Sequence, residues 1–350
     1  MELFLKFLVA LLIFFAPFSF ATTEPWAFSI LQLLVIIAWT IVLFSRRELI
    51  YSSLCKPVVA VFGALVFLAG LQSFFPHTLL DPKVWYPVTL MRLYTLEHLS
   101  LFITYFSIVM LVVQIFHSQT SVKQLLWILV LCAISVLLCA IVFPKGQYIY
   151  LLTGTHTWGS IGPFVNRNHA GLFFAMNCVL SLGLLLTRQL DYRQMLTSEQ
   201  RNTFILQQVL LAIIVMGLLL AAIFTRSRGT ILSLMIGLFG YTFLCIWVVP
   251  NKLKKRLKGF FFTLLVLIGV VAWGYTHVED INEFAHRKAN GVSEQTRVEM
   301  YRAAFQILKQ YPLFGIGVGA MPIVIPSYVG HPIPNYVERL HNDWLEIALG

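Results

Sequence analysis

Residues 204–249 read FILQQVLLAIIVMGLLLAAIFTRSRGTILSLMIGLFGYTFLCIWVV, two apolar runs joined by the polar knot Thr225-Arg-Ser-Arg-Gly229. Each run reaches the roughly 20 residues that a helix rising ~1.5 Å per residue needs to cross ~30 Å of hydrocarbon. Neither run alternates apolar and polar residues, so both read as helices, which satisfy their own backbone hydrogen bonds in lipid. A hairpin of two membrane helices with two arginines at its tip is the pattern from which the rest of the chain is read.

Outward from this hairpin, similar runs predict spans near 3–20, 26–45, 57–75, 97–116, 122–143, 163–187, 204–224, 229–249 and 259–275. A tenth begins near Trp344 and stops at Gly350, too short to cross a bilayer, so a fragment or truncated product is the expectation. The first run is read as a span and not a signal peptide, because it is long and no small-x-small cleavage site follows it. Composition agrees. The chain is 59% hydrophobic and 11% charged, with a mean hydropathy of +0.81, whereas a soluble domain carries about 25% charged residues. The expected fold class is all-α, a polytopic transmembrane bundle.

Orientation follows from lysines and arginines in short loops. Loop 46–56 holds Arg46, Arg47 and Lys56, loop 188–203 holds Arg188, Arg193 and Arg201, and 251–258 reads NKLKKRLK. With the spans above, all three fall on one side together with the N-terminus and Lys123, and that side is read as cytoplasmic. The net charge of +10 is assigned to these loops and not to a nucleic-acid surface, since no basic groove motif or stacking platform accompanies it. The opposite face receives 76–96, 144–162, 225–228 and the long segment 276–343. Within that segment Glu294–Tyr311 places Val298, Tyr301, Phe305 and Leu308 on one stripe, an amphipathic helix expected on the membrane surface or over a cavity. The glycines of Pro312-Leu-Phe-Gly-Ile-Gly-Val-Gly319 end it and permit close backbone approach.

Residues that violate the charge rule are informative. On the outer face lie Lys83, Arg92, Lys145, Arg167, Arg226 and Arg228. Arg167 sits in GPFVNRNHAG, and Arg226 and Arg228 sit in TRSRG, with no carboxylate in either local sequence. A half-buried arginine costs at least ~2.5–3.5 kcal/mol on insertion scales unless hydrated or paired. One reading has these side chains snorkelling to lipid headgroups. The other has them forming a cationic pocket for an anionic ligand, because guanidinium forks match phosphate oxygens. Among the histidines, His169 belongs to the Arg167 knot, and His341 opens HNDW before the last span, where a proton can be exchanged near neutral pH. His77, His98, His117, His156, His277, His286 and His331 read as loop or interface residues. The five cysteines (Cys55, Cys132, Cys139, Cys178, Cys245) read as small hydrophobes, neither disulfide-bonded nor metal-binding. No zinc signature, Walker motif, dinucleotide fingerprint or GxSxG elbow is present.

The ordered set GPFVNRNHAG, SRG, PLFGIGVGA and HND resembles the O-antigen ligase and polymerase superfamily, over roughly 160–350. The resemblance divides the chain into N-terminal transmembrane helices (1–160) and a ligase-like region (161–350). It implies a metal-independent glycosyltransferase of the bacterial inner membrane, active on the periplasmic face and needing no cofactor. Its donor would be a glycan on undecaprenyl diphosphate. Its acceptor would be a hydroxyl of lipid A–core, of another carrier-linked repeat (a polymerase) or of a protein. Carried over residue by residue, the resemblance makes Arg167, Arg226 and Arg228 the diphosphate ligands and His341 the residue that orients or deprotonates the acceptor. Arg297, Gly315, Gly317, Gly319 and Asp343 would frame the acceptor side. A transporter of an anionic lipid-linked substrate is the reading from another class; no convincing inverted repeat supports it. TRSRG and HNDW are expected to react with the same membrane-impermeant thiol reagent when single cysteines are placed in each. Labelling from opposite sides would exclude a shared site.

Overall fold

The structure, a computed structural model, describes residues 1–45, 56–77, 84–154, 160–191, 198–248, 269, 294–329 and 343–350. Its helices are α1 (Glu2–Phe18), α2 (Pro25–Phe44), α3 (Lys56–Phe74), α4 (Arg92–Ile115), α5 (Gln119–Val142) and α6 (Gln147–Thr153), then α7 (Arg167–Asp191), α8 (Ser198–Phe224), α9 (Arg228–Val248), α10 (Glu294–Gln310), α11 (Met321–Val324) and α12 (Asp343–Leu349). Among the described residues no strand forms, and six helices (α2, α3, α4, α5, α7 and α8) are long and apolar enough to cross a membrane. The chain is an all-α, multi-pass membrane helix bundle. The expected span 259–275, apart from residue 269, and the basic run 251–258 lie outside the described residues. Two details differ from the sequence reading. α7 starts at Arg167 and not at 163, because Asn166 caps it: Asn166 Oδ1 accepts from the Asn168 N–H at 2.8 Å. The stretch read as loop 144–162 also contains the short helix α6.

The chain divides into two compact units, Met1–Arg46 with Ile115–Glu279, and Arg47–Gln114 with Asp280–Gly350. In the first unit α7 packs against α5, α8 and α9. Phe174, Cys178 and Leu182 of α7 meet Leu218 and Ala222 of α8 and Leu234 and Leu238 of α9 in one buried cluster. Lipid supplies no hydrophobic drive between helices, so close approach at small residues must supply the attraction. Gly171 meets that need. A Cβ there would lie 2.7 Å from Thr225 Oγ1 and closer still to Thr230 Oγ1, so α7 touches the tip of the α8–α9 hairpin only because the side chain is absent. Beside it, the Gly162 backbone lies against Ala140 near the end of α5, and Tyr148 of α6 donates to the Phe18 carbonyl at 2.9 Å. Lys6 marks the other end of the unit, where its Nζ reaches Glu2 at 3.1 Å and Gln124 at 2.9 Å.

The second unit holds α3, α4, α10, α11 and α12. The sequence stripe on α10 needs correction. Its buried residues are Met300, Ala303, Ala304 and Ile307, followed by Tyr311, whereas Val298 and Phe305 are exposed and Tyr301 and Leu308 only partly buried. The helix carries two neighbouring apolar faces, and the one with paired alanines is buried because small residues let the neighbouring segments approach. Tyr328 donates to Gln310 Oε1 at 2.5 Å, and burial pushes its phenol above the ordinary value, so it stays a donor.

Gly171→Ala is expected to destabilise the protein by about 1–3 kcal/mol, the usual cost of overpacking, read as a lowered midpoint of thermal unfolding in detergent. An unchanged midpoint would show that the α7 contact is not a constraint.

Candidate functional site

The Gly171 contact determines what gathers at this end of the first unit. Arg167 precedes Gly171 by four residues, so the two share a helix face about one turn apart. Since Gly171 lies on Thr225 and Thr230, Arg167 is carried to within about one turn of the segment that bears Arg226 and Arg228. The structure thus brings the three sequence-predicted arginines to one end of one unit.

The turn between α8 and α9 is built from its own hydroxyls. Thr225 Oγ1 donates back to the Ala222 carbonyl at 2.7 Å as α8 ends. Ser227 then caps α9, its Oγ accepting from the Thr230 N–H at 3.2 Å and its carbonyl from the Ile231 N–H at 3.1 Å. Between them Arg226 takes φ = 53°, with its N–H on the Ile223 carbonyl at 3.0 Å. That left-handed position after a helix is normally filled by glycine. An L-residue there costs on the order of 1–2 kcal/mol, so the turn holds a guanidinium where a glycine would be more stable.

Two helix N-termini point the same way. Arg167 is the first residue of α7 behind its Asn166 cap, and Arg228 is the first residue of α9 behind its Ser227 cap. A helix start carries roughly half a positive charge and disfavours cations by about 0.3–1 kcal/mol. Arg167 and Arg226 are half-buried, Arg228 is exposed, and Asn168 and His169 of the first α7 turn are exposed beside them. Three arginines near two helix starts place several positive charges at one end of the unit, a pattern suited to an anionic ligand.

The residues expected on the acceptor side belong to the second unit. Gly315, Gly317 and Gly319 have φ of 64°, 99° and 81°. Their bare backbone lies against the Leu349 carbonyl, the Thr89 side chain and the His98 ring respectively, so the expected close approach is present. The groups that hold this loop were not singled out from sequence. Gln72 of α3, fully buried, donates from Nε2 to the carbonyls of Phe314 (2.7 Å) and Gly350 and accepts the Val318 N–H at 3.2 Å. Thr95 of α4 donates to the Val318 carbonyl at 2.9 Å and shares a 2.7 Å bond with Thr89. A lone glutamine in the apolar run of α3 was the available signal, because a polar side chain in a membrane helix marks a polar contact. Arg297 lies in the first turn of α10 and Asp343 at the start of α12; of these two only the backbone is described. His341 and Lys83 lie outside the described residues.

Residues 211–350 match the family model described as O-antigen ligase. The match begins within α8, so it includes Arg226, Arg228 and the glycine loop and leaves Arg167 outside. No curated protein and no solved structure matches the chain.

Arg226→Gly relieves the left-handed strain and is expected to leave the unfolding midpoint unchanged or raise it by up to about 1 kcal/mol equivalent. Arg226→Ala keeps the strain and is expected to gain nothing. A clear loss of stability in the glycine variant would mean that Arg226 is there to hold the fold.

Proposed function

We propose, from the match of residues 211–350 to the O-antigen ligase family model, that the chain transfers a glycan from an undecaprenyl-diphosphate carrier to an acceptor hydroxyl. The match supports a glycan-transfer role of the O-antigen family kind in general. The donor, the acceptor and the membrane face belong to the proposal. The observation that carries it is the gathering of Arg167, Arg226 and Arg228 at the starts of α7 and α9.

In this reading the guanidinium groups bind the carrier's diphosphate, and their charge is most useful as the sugar–phosphate bond breaks. The acceptor oxygen attacks the anomeric carbon from the face opposite the diphosphate. The carbon–oxygen bond to phosphate breaks, its electron pair leaves with the diphosphate, and the anomeric configuration inverts. Preorganised donors facing such developing charge typically contribute a factor of about 10²–10³ each. Diphosphate is a good leaving group, so the group that takes the acceptor proton need not be a strong base; His341 is assigned that task. Arg297, Asp343 and the loop of Gly315, Gly317 and Gly319 are assigned to the acceptor side, with lipid A–core as the acceptor. The site would face the periplasm from a protein of the inner membrane, with the basic loops on the cytoplasmic side. The chemistry so written uses neither nucleotide nor metal.

The test is transfer by purified protein from undecaprenyl-diphosphate-linked glycan to lipid A–core oligosaccharide, with chelator present. Arg228 is exposed and caps no buried contact, so Arg228→Ala is expected to fold normally and lose about 10²-fold in transfer. His341→Ala is expected to retain donor binding and lose acceptor modification. Full transfer by the arginine variant would sink the diphosphate assignment.

A further inference from the structure

We infer that His98 is an acceptor-binding residue, its Nε2 receiving a hydrogen bond from a hydroxyl of the incoming glycan acceptor. The inference rests on the glycan-transfer reading and adds a residue to it.

The tautomer is set locally. His98 Nδ1 lies 2.9 Å from the carbonyl of Tyr94, one turn earlier on α4. A carbonyl can only accept, so Nδ1 carries the proton and, in the neutral ring, Nε2 presents its lone pair. No described residue bonds to Nε2, and the ring is only half-buried. A neutral imidazole with one nitrogen anchored and the other available is suited to receive a hydroxyl proton in a hydrogen bond.

The ring is also held in place. Its Nδ1–Cε1 edge lies against the Gly319 backbone, where a Cβ would fall 2.6 Å from Cε1. Only glycine fits, both for that contact and for φ = 81°. The loop it touches is fixed by other bonds: Leu90 N–H to the Ile316 carbonyl at 2.9 Å, Thr95 to the Val318 carbonyl and Gln72 to the Val318 N–H. None of these uses the His98 ring, so the loop does not depend on it. A side chain positioned by a satisfied shell, with one polar atom left for a ligand, is the arrangement a binding residue needs. Tyr94 and Glu97, half-buried and exposed on the same first turns of α4, add groups suited to a polyhydroxyl ligand.

The full chain in detergent is compared with His98→Leu and His98→Gln, using undecaprenyl-diphosphate-linked glycan as donor and lipid A–core oligosaccharide as acceptor. His98→Leu is expected to raise the acceptor KM and the directly measured acceptor Kd about tenfold, the loss of one hydrogen bond. The donor KM should stay within twofold, and His98→Gln should recover part of the loss. Unchanged acceptor Kd in folded His98→Leu, or equal shifts for donor and acceptor, would overturn the inference, as would wild-type protein that binds no oligosaccharide. If His98→Leu fails to fold, the acceptor Kd of His98→Asn decides in the same way. Wild-type protein that binds oligosaccharide but transfers nothing would instead overturn the glycan-transfer reading, and the Kd comparison would still decide the role of His98.

Discussion

The missing side chain at Gly171 is the constraint on which the cationic end of the first unit depends. It lets α7 come down onto Thr225 and Thr230, so that a residue far away in sequence, Arg167, reaches the turn bearing Arg226 and Arg228. Hydropathy alone would leave these arginines as separate violations of the charge rule, each open to explanation by snorkelling. The helix contact makes them one electrostatic feature. Two helix starts reinforce it, since their partial charges add to the guanidinium charges instead of offsetting them.

The two units handle polarity in opposite ways. In the second unit the buried polar groups answer one another: Gln72 serves three backbone groups, and Thr89 and Thr95 close on the loop they hold. Such groups stabilise and rigidify because every donor and acceptor has a partner. In the first unit like charges accumulate, and one of them occupies a backbone conformation that costs stability. Backbone strain of this kind is what selection for folding alone would remove, and the proposed function supplies a reason for keeping it.

What was legible in the sequence follows the same physics. The long spans α2, α3, α4, α5, α7 and α8 were readable because lipid demands unbroken apolar runs, a signal tied to length and little affected by tertiary context. The three arginines were readable because charge is rare in such runs. The α10 face was misjudged: Val298–Phe305 and Met300–Ile307 both satisfy helical spacing, and only the packing partners choose between them. Gln72 and His98 were passed over for a related reason, since their partners Phe314, Val318 and Gly319 lie more than two hundred residues along the chain.

Arg226 shows how sequence and structure combine. From TRSRG alone its left-handed φ is invisible, because Thr225, Ser227 and Gly229 all favour a turn and Gly229 is the expected site of any unusual backbone. The structure gives the strain to the arginine and leaves Gly229 in the first turn of α9. The residue after the end of α8 is where the backbone reverses, so Arg226 occupies the hairpin tip itself. Arg228 lies two residues on, as the first residue of α9, and is exposed. In the proposed reading, the two arginines of this turn, one on left-handed and one on helical backbone, serve the same diphosphate.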